Sequence, residues 1–202
     1  MKLYGTPSSP YTRKVRVLGL KKRLDIEFVN ETPLKPDSRI PVLNPLGKIP
    51  ALLRDDGTVL IDSPLIAEYL DALNDAPRFL PAIGPERMAV RQWESLCDGV
   101  LDAAVLIRME SLRPEAQRSE DWIAAQNRKI ERTLDVLDRS LGRNDRSVGQ
   151  SLSLADIATA CAVLYLEFRF PQGEWRKRFA NLGRLTDEMA DRAAFLATPI
   201  DA

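Results

Sequence analysis

A proline-rich segment at residues 74–85 constrains the fold most, because it separates two stretches of different sequence pattern. The segment NDAPRFLPAIGP holds three prolines and one glycine, which is typical of a linker between domains and not of a helix or a strand. Before it, short β-like runs alternate with helical patterns, and after it the pattern is mainly helical. We therefore predict two domains, at residues 1–76 and 85–202.

The pattern before this segment predicts a βαβ unit, then a hairpin and a closing helix. Asp55-Asp56-Gly57 between two apolar runs is a strong hairpin signal. Ser63-Pro64 supplies an N-cap hydroxyl and a proline at the first helical position. The predicted elements are a strand at 2–4, a helix from 12 to about 23, strands at 26–29, 51–54 and 58–61, and a helix from 63 to about 73. An α/β domain is expected.

The pattern after the segment predicts an all-α domain. Apolar residues at helical spacing cover 86 to about 112 and 119 to about 141, with turns at 113–114 and 142–145. Ser153 and Asp156 form a capping-box pattern, in which the serine caps the helix and the aspartate returns the bond. The next helix has an apolar stripe that we predict to be core. The stripe consists of Leu154, Ile157, Cys161, Leu164 and Phe168.

Composition narrows the classes of partner. Lysine plus arginine number 29, as do aspartate plus glutamate, so no net field attracts nucleic acid or anionic lipid. No stretch approaches the ~18 consecutive apolar residues of a membrane span, and the N-terminus lacks a signal-peptide pattern, so we predict a cytoplasmic protein. The two cysteines, Cys97 and Cys161, lie far apart in sequence and are predicted to be core residues.

The sequence contains no histidine, which removes several kinds of chemistry. A Ser-His-Asp triad and a histidine general base are excluded, as are most zinc sites, and no metal is expected. The reactive group must come from a cosubstrate or from Asp, Glu, Ser, Tyr or Lys.

Four short motifs lie in a fixed order along the chain. They are Ser8-Ser9-Pro10-Tyr11 after the first strand, the run from Asn44 to Pro50 before the hairpin, Asp62-Ser63-Pro64 after it, and the Ser153–Asp156 cap. Each motif is weak alone, but their order and spacing together resemble the glutathione S-transferase family over nearly the whole chain. The resemblance implies an α/β thioredoxin-like N-terminal domain followed by an all-α helical-bundle C-terminal domain. It also implies glutathione as cosubstrate.

The resemblance places Ser9, at the start of the first helix, opposite the glutathione sulfur. A serine hydroxyl and the positive end of a helix both favour a thiolate over a thiol. Ser8 and Tyr11 are the neighbouring hydroxyls that compete for this role. The alternative interpretation of Ser9 is that it only caps the helix.

The resemblance assigns the rest of glutathione to three other segments. Ile49-Pro50 resembles a cis-proline loop in which the backbone of Ile49 pairs with the peptide backbone of glutathione. Asp62 and Ser63 resemble the pair that holds the γ-glutamyl end, where a carboxylate meets a helix N-terminus. Lys35 is placed to reach the glycyl carboxylate, although a solvated lysine is the common alternative.

The implied activity is conjugation of glutathione to a hydrophobic electrophile by a cytoplasmic homodimer. No cysteine occupies the position that carries a catalytic thiol in some relatives, so thiol-disulfide chemistry is disfavoured. The alternatives are a glutathione-dependent isomerase or dehalogenase and a non-catalytic interaction module.

Candidates for an apolar second-substrate pocket or for plain core are Val105, Met109, Phe168 and Phe170. Asp98 and Asp102 have three possible interpretations: they border the active site, they approach a partner subunit, or they belong to a solvated helix face.

Overall fold

The structure, a computed structural model, describes residues 1–75 and 77–200 of the 202-residue chain. The chain divides into two compact units, one made of Met1–Leu80 with Asp191–Ala202 and the other of Pro81–Ala190. The change from the first unit to the second falls within the proline-rich segment. The sequence pattern assigned everything after residue 85 to the helical domain, whereas the chain beyond Ala190 groups with the first unit.

The first unit is built on a four-stranded mixed sheet with the order β2-β1-β3-β4. β1 pairs in parallel with β2 and antiparallel with β3, and β3 pairs antiparallel with β4. This is the βαβ unit and hairpin that the sequence predicts. The elements are β1 (Lys2–Gly5), α1 (Pro10–Lys21), β2 (Glu27–Asn30), α2 (Ile40–Leu43), β3 (Ala51–Leu53), β4 (Val59–Leu60) and α3 (Ser63–Ala72).

Helices α1 and α3 pack against each other, and α3 also contacts β3. Their apolar faces are fully buried, as at Val15 and Leu18 of α1 and at Ile66 and Leu70 of α3. Burying one such side chain contributes roughly 1.5–3 kcal/mol. The short α2 was not foreseen, because four residues carry too little periodicity to be recognised from sequence.

The second unit is helical, as predicted. α4 (Gly84–Ser111) packs against α5 (Glu120–Leu141) and α6 (Leu154–Arg169), and α6 packs against α8. The remaining elements are α7 (Trp175–Arg178), α8 (Ala180–Ala190) and 3-10 turns at Glu115–Gln117 and Pro171–Gly173.

The core of the second unit contains both cysteines, as the sequence predicts. In the stripe along α6, Leu154, Ile157 and Cys161 are buried. Leu164 and Phe168 are only half-buried, so the stripe is not uniformly core and its C-terminal part reaches the surface. No helix of the described residues is both long enough and apolar enough to cross a membrane.

The predicted capping box joins Ser153 and Asp156 at the start of α6. The buried Asp156 carboxylate accepts hydrogen bonds from the Ser153 N–H and the Ser147 N–H, each at 2.7 Å. The second of these bonds fixes the segment before the helix as well as the helix start. The aspartate of the capping box therefore also makes a tertiary contact, with Ser147.

The last helix, α9 (Ala193–Leu196), belongs to the first unit, where it packs against α1. The guanidinium of Arg13 lies 5.1 Å from the ring centroid of Phe195 and donates to the Phe195 carbonyl at 3.4 Å. These contacts explain why the C-terminal segment groups with the N-terminal unit although 182 residues separate the two partners.

Candidate functional site

One edge of the sheet gathers the segments that carry the predicted site residues. β1 and β2 are parallel, so both end at this edge. β3 runs the opposite way and begins there, because Ala51 pairs with Tyr4 near the end of β1. β4 is antiparallel to β3 and therefore ends at the same edge. The loops after β1, β2 and β4 and the loop before β3 meet along this edge.

All the site residues predicted within the first unit follow or precede these strand ends. They are Ser9 after β1, Lys35 after β2, Ile49 and Pro50 before β3, and Asp62 and Ser63 after β4. Residues from four loops thus share one edge of the sheet, which is the usual place for a ligand in an open α/β sheet.

Ser9 is the N-cap residue of α1. Its Oγ accepts a hydrogen bond from the Thr12 N–H at 3.2 Å, and Pro10 follows at the first helical position. This bond uses a lone pair and leaves the hydroxyl proton available. Within residues 1–75 and 77–200, the Ser9 hydroxyl donates to no other group. Ser9 can therefore cap the helix and donate to a ligand at the same time, so the two interpretations of this residue do not exclude each other.

Gly5 and Thr12 set the position of the α1 N-terminus relative to β1. A Cβ built on Gly5 would overlap the Thr12 side chain, with Thr12 Cγ2 only 2.7 Å away. The missing side chain at Gly5 lets the first turn of α1 approach the end of β1 closely. Neither residue belongs to a predicted site, although a glycine at a strand end is a sign of close approach.

The neighbouring hydroxyl of Ser8 lies in a different environment. Ser8 Oγ is 3.4 Å from Thr6 Oγ1, so the two hydroxyl groups share a weak hydrogen bond. Tyr11 is half-buried and already engages another group. Of the three hydroxyls near the start of α1, Ser9 is the one that carries the helix cap.

The Ile49-Pro50 peptide bond is cis, as the resemblance implies. In the part of the chain that the structure describes, neither the N–H nor the C=O of Ile49 has a hydrogen-bond partner. Ile49 lies two residues before β3, with Pro50 between them. An extended peptide can pair with a backbone of this kind by adding to the strand edge.

Asn44 fixes the loop that carries Ile49. Its Nδ2 donates to the Lys48 carbonyl at 2.8 Å, and its Oδ1 accepts from the Leu46 N–H at 3.0 Å. Asn44 is buried, at 3% exposure, so both bonds are partly shielded from water. Asn44 is the first residue of the motif that ends at Pro50, and its contribution to the loop becomes visible only in these two contacts.

Asp62 and Ser63 lie at the N-terminus of α3. Ser63 is buried and is the first residue of the helix, whereas Asp62 is the exposed N-cap residue. The Asp62 side chain makes no capping bond to α3, so its carboxylate is not used by the helix. The Ile61-Asp62 peptide bond is also cis. The free N–H groups of the first turn favour a negatively charged ligand group.

Lys35 lies on the exposed surface of the loop that follows β2. Glu31 organises this loop, because its Oε1 accepts from the Ser38 hydroxyl at 3.3 Å and from the Arg39 N–H. Among the described residues, the Lys35 ammonium has no ion-pair partner. The role of Glu31 was missed, since a contact that closes a loop of irregular structure leaves no periodic signal.

The candidates for the second-substrate pocket lie in the helical unit. Val105 and Met109 are four residues apart on α4, and Phe168 and Phe170 lie at the end of α6. Three of them are half-buried and Met109 is 44% exposed, so they are not plain core. Asp98 and Asp102 also lie on α4, where each engages another group.

The candidate residues of the first unit lie at one end of the sheet and differ in chemistry. A hydroxyl at one helix N-terminus, a second helix N-terminus, a lysine and an unpaired stretch of backbone suit an elongated, negatively charged peptide. Glutathione has this character, with two carboxylates, two peptide bonds and a thiol.

Comparison with protein families gives matches to both halves of the chain. The profile described as "Glutathione S-transferase, N-terminal domain" matches residues 3–78, and "Glutathione S-transferase, C-terminal domain" matches residues 120–188. A GST-like protein of Escherichia coli K12, YibF, which is itself uncharacterized, is 41% identical over 198 residues, covering 98% of both chains.

Solved structures give the same result. A glutathione S-transferase from Methylobacillus flagellatus with glutathione bound is 41% identical, with a TM-score of 0.95 and 99% of both chains covered. A glutathione S-transferase from Methylobacterium radiotolerans in complex with glutathione sulfonate is 39% identical, with a TM-score of 0.93 over 100% of this chain and 97% of that one. The two-domain fold, both family profiles and these relatives establish that the chain belongs to the glutathione S-transferase family.

Proposed function

We propose that this protein is a glutathione transferase that binds glutathione at the sheet edge of the first unit and activates its thiol through Ser9. The observation that carries the proposal is the Ser9 hydroxyl. It lies at the N-terminus of α1, it accepts a bond from the Thr12 N–H, and its proton has no acceptor among the described residues. A thiolate placed there accepts this proton in a hydrogen bond and faces the positive end of the helix.

The energy that these two interactions supply is sufficient for thiol activation. Lowering a thiol pKa from about 8.5 to about 6.5 requires ~2.7 kcal/mol and raises the thiolate fraction at pH 7 from roughly 3% to roughly 75%. One hydrogen bond to a charged group contributes ~1.5–3 kcal/mol, and a helix terminus adds about 0.3–1 kcal/mol. Ser9 therefore needs no general base, which agrees with the absence of histidine from the sequence.

The remaining site residues hold the peptide. The Ile49 backbone pairs with the cysteinyl backbone of glutathione, the α3 N-terminus with Ser63 and Asp62 holds the γ-glutamyl end, and Lys35 holds the glycyl carboxylate. Support comes from the unpaired backbone of Ile49 and from the Asp62 side chain, which the helix does not use. The two relatives that were solved with glutathione or glutathione sulfonate support the same ligand.

In the proposed reaction the glutathione thiolate attacks an apolar electrophile, and a thioether bond forms as the leaving group departs or as a conjugated double bond accepts the electron pair. The nucleophile is supplied by the cosubstrate. We further propose that the enzyme is a cytoplasmic homodimer that works in detoxification. A mass measurement in solution tests the dimer. Net consumption of glutathione separates conjugation from an isomerase, and halide release without a stable thioether conjugate identifies a dehalogenase.

Two measurements test the proposal. Calorimetry at neutral pH measures binding of glutathione, and a pH titration follows the ultraviolet absorbance of the bound thiolate. The parent protein should bind glutathione and show thiolate at lower pH than the Ser9→Gly variant. Glycine at an N-cap costs only a few tenths of a kcal/mol, so this variant removes the hydroxyl while keeping the helix. Ser8→Ala is the matched control and should behave as the parent. Absence of binding at millimolar glutathione would contradict the proposal and favour a non-catalytic interaction module.

A further inference from the structure

The C-terminal turns of α4 and α6 each carry an arginine without a carboxylate partner in the described part of the chain. Arg108 lies in the last turn of α4 and Arg169 in the last turn of α6, and these helices pack against each other. The Arg108 guanidinium donates to the Ser111 hydroxyl at 3.4 Å. The Nε of Arg169 is buried without a hydrogen-bond partner.

The acidic residues nearest in sequence are engaged elsewhere. Glu110 accepts from the Ser119 N–H at 2.9 Å and pairs with Arg113 at 3.4 Å. Glu167 pairs with Arg176 at 2.7 Å. Neither carboxylate pairs with Arg108 or Arg169, so in the described part of the chain these two arginines have no carboxylate partner.

Tyr165 lies next to Arg169 and adds a hydroxyl group. Its side chain is buried, at 3% exposure, and the guanidinium of Arg169 lies 5.8 Å from its ring centroid. Burial raises the pKa of the Tyr165 phenol, whereas hydrogen bonding to Arg169 and the positive charges of Arg169 and Arg108 act in the opposite direction. The Arg169 guanidinium is thus in contact range of the Tyr165 ring, and Arg108 lies on the helix that packs against α6.

The charges share helix faces with the apolar residues at these helix ends. On α4, Arg108 is three residues after Val105, and on α6, Arg169 is four residues after Tyr165. The guanidinium of Arg169 also stacks on the Phe168 ring, 4.3 Å from its centroid. A ligand at these helix ends therefore meets apolar surface and positive charge together.

Arginines near helix C-termini often bind the last carbonyl groups. Here the Arg108 guanidinium bonds a serine hydroxyl instead, and Arg169 donates to no carbonyl among the residues that the structure describes. A partly buried cation without a carboxylate is costly unless an anion joins it. The usual structural role therefore does not account for these two arginines.

We propose that Arg108, Arg169 and the Tyr165 hydroxyl form a binding site for a carboxylate. The occupant is an apolar molecule that carries a carboxylate group, held by two guanidinium groups and one phenol. That this molecule is the electrophile rests on the proposed function. Binding of the carboxylate itself does not depend on glutathione.

Calorimetry on the full chain tests the site by comparing the affinity for 3-phenylpropanoate with that for the uncharged 3-phenylpropanamide. The affinity for glutathione is measured in a separate titration. A charge-assisted hydrogen bond contributes ~1.5–3 kcal/mol, so the acid should bind at least about tenfold more tightly than the amide. Arg169→Gln should lower this preference to below about threefold, because it removes the buried charge, while Arg169→Lys should keep part of it. Arg143→Gln, at an exposed arginine of the same unit, is the control and should leave the preference unchanged.

Arg108→Gln and Tyr165→Phe should each weaken binding of the acid and not of the amide. Equal affinity for acid and amide, or a preference that survives both Arg108→Gln and Arg169→Gln, would overturn the inference. Loss of glutathione binding with a preserved preference for the acid would contradict the proposed function and leave the carboxylate site standing.

Discussion

The ammonium of Lys22 lies 3.4 Å from the Asp71 carboxylate in the interior of the first unit, with the two side chains 0% and 4% exposed. The ammonium also donates to the carbonyls of Asp71, Asn74 and Pro77 at 2.7–2.9 Å. The Asp71 carboxylate in turn accepts from the N–H groups of Phe79 and Leu80 at 2.9 and 3.0 Å. One buried ion pair thus ties the ends of α1 and α3 to the proline-rich segment.

Removing the lysine should destabilise the protein strongly. Lys22→Met leaves Asp71 as a buried charge without its partner and leaves the carbonyls of Asn74 and Pro77 without a donor. Breaking a buried ion pair in this way costs about 3–5 kcal/mol. We expect a loss of this size in urea unfolding. Lys48→Met, at an exposed lysine of the same unit, is the control and should change stability by less than about 0.5 kcal/mol. Equal stability of both variants would contradict a structural role for the pair.

The sequence predicts the order of elements well because local patterns determine it. The hairpin at residues 55–57, the start of α3 at Ser63 and the two long helices all follow from turn residues and spacing. α1 begins two residues earlier than the apolar spacing suggests, because Ser9 caps it and Pro10 starts it. The packing of α9 on α1 was not predictable, because the contact between Arg13 and Phe195 spans 182 residues.

The residues of the site likewise fall into two groups, those that local sequence signals predict and those that they do not. Ser9 and Ser63 follow from capping signals, and the family resemblance adds their proposed ligands. Asn44 and Glu31 act through loop contacts, and such contacts follow no periodic pattern that a sequence displays. The Lys22 network was missed for a related reason, since a lysine at a helix end normally points into water.

Asn44 should control glutathione affinity without touching the ligand. Asn44→Ala removes the two bonds that hold the Lys48 carbonyl and the Leu46 N–H, so the loop carrying Ile49 loses its fixed position. Under the proposed function, we expect glutathione to bind about tenfold more weakly, since loss of ordering in a binding loop costs on the order of 1.4 kcal/mol. Asn30→Ala, at an exposed asparagine, is the control for calorimetry. Unchanged affinity in Asn44→Ala would show that the loop holds its shape without this side chain.

Asp156 should be essential to the stability of the helical unit. Asp156→Ala leaves the buried N–H groups of Ser147 and Ser153 without an acceptor. Each unsatisfied buried donor costs about 1–3 kcal/mol, so for two donors we expect a loss of about 2–6 kcal/mol in thermal or urea unfolding. Asp135→Ala, which breaks an exposed ion pair with Arg139, should cost less than about 1 kcal/mol. A similar loss in the two variants would mean that the capping box is dispensable.

The ionisation of Tyr165 should make stability fall at alkaline pH. Burial raises the pKa of its phenol above the ordinary value of 10.0, so the folded protein holds this proton more tightly than the unfolded chain does. The stabilisation is present in full below the unfolded pKa and is lost as pH rises through the folded pKa. Unfolding experiments above pH ~10 should show a decline that Tyr165→Phe reduces, because phenylalanine has no proton to lose.

The pKa of the Tyr165 phenol also depends on the positive charge of Arg169. Arg169→Gln removes a charge and a hydrogen bond that stabilise the phenolate, so the pKa of Tyr165 should rise further. An ultraviolet titration of tyrosinate checks this, with the titration of Tyr165→Phe subtracted to isolate the residue. Arg143→Gln should leave the curve of Tyr165 where it is in the parent. A pKa of Tyr165 that falls or stays constant in Arg169→Gln would contradict the arrangement of charges at the ends of α4 and α6, because a guanidinium near the phenol can only favour its ionisation.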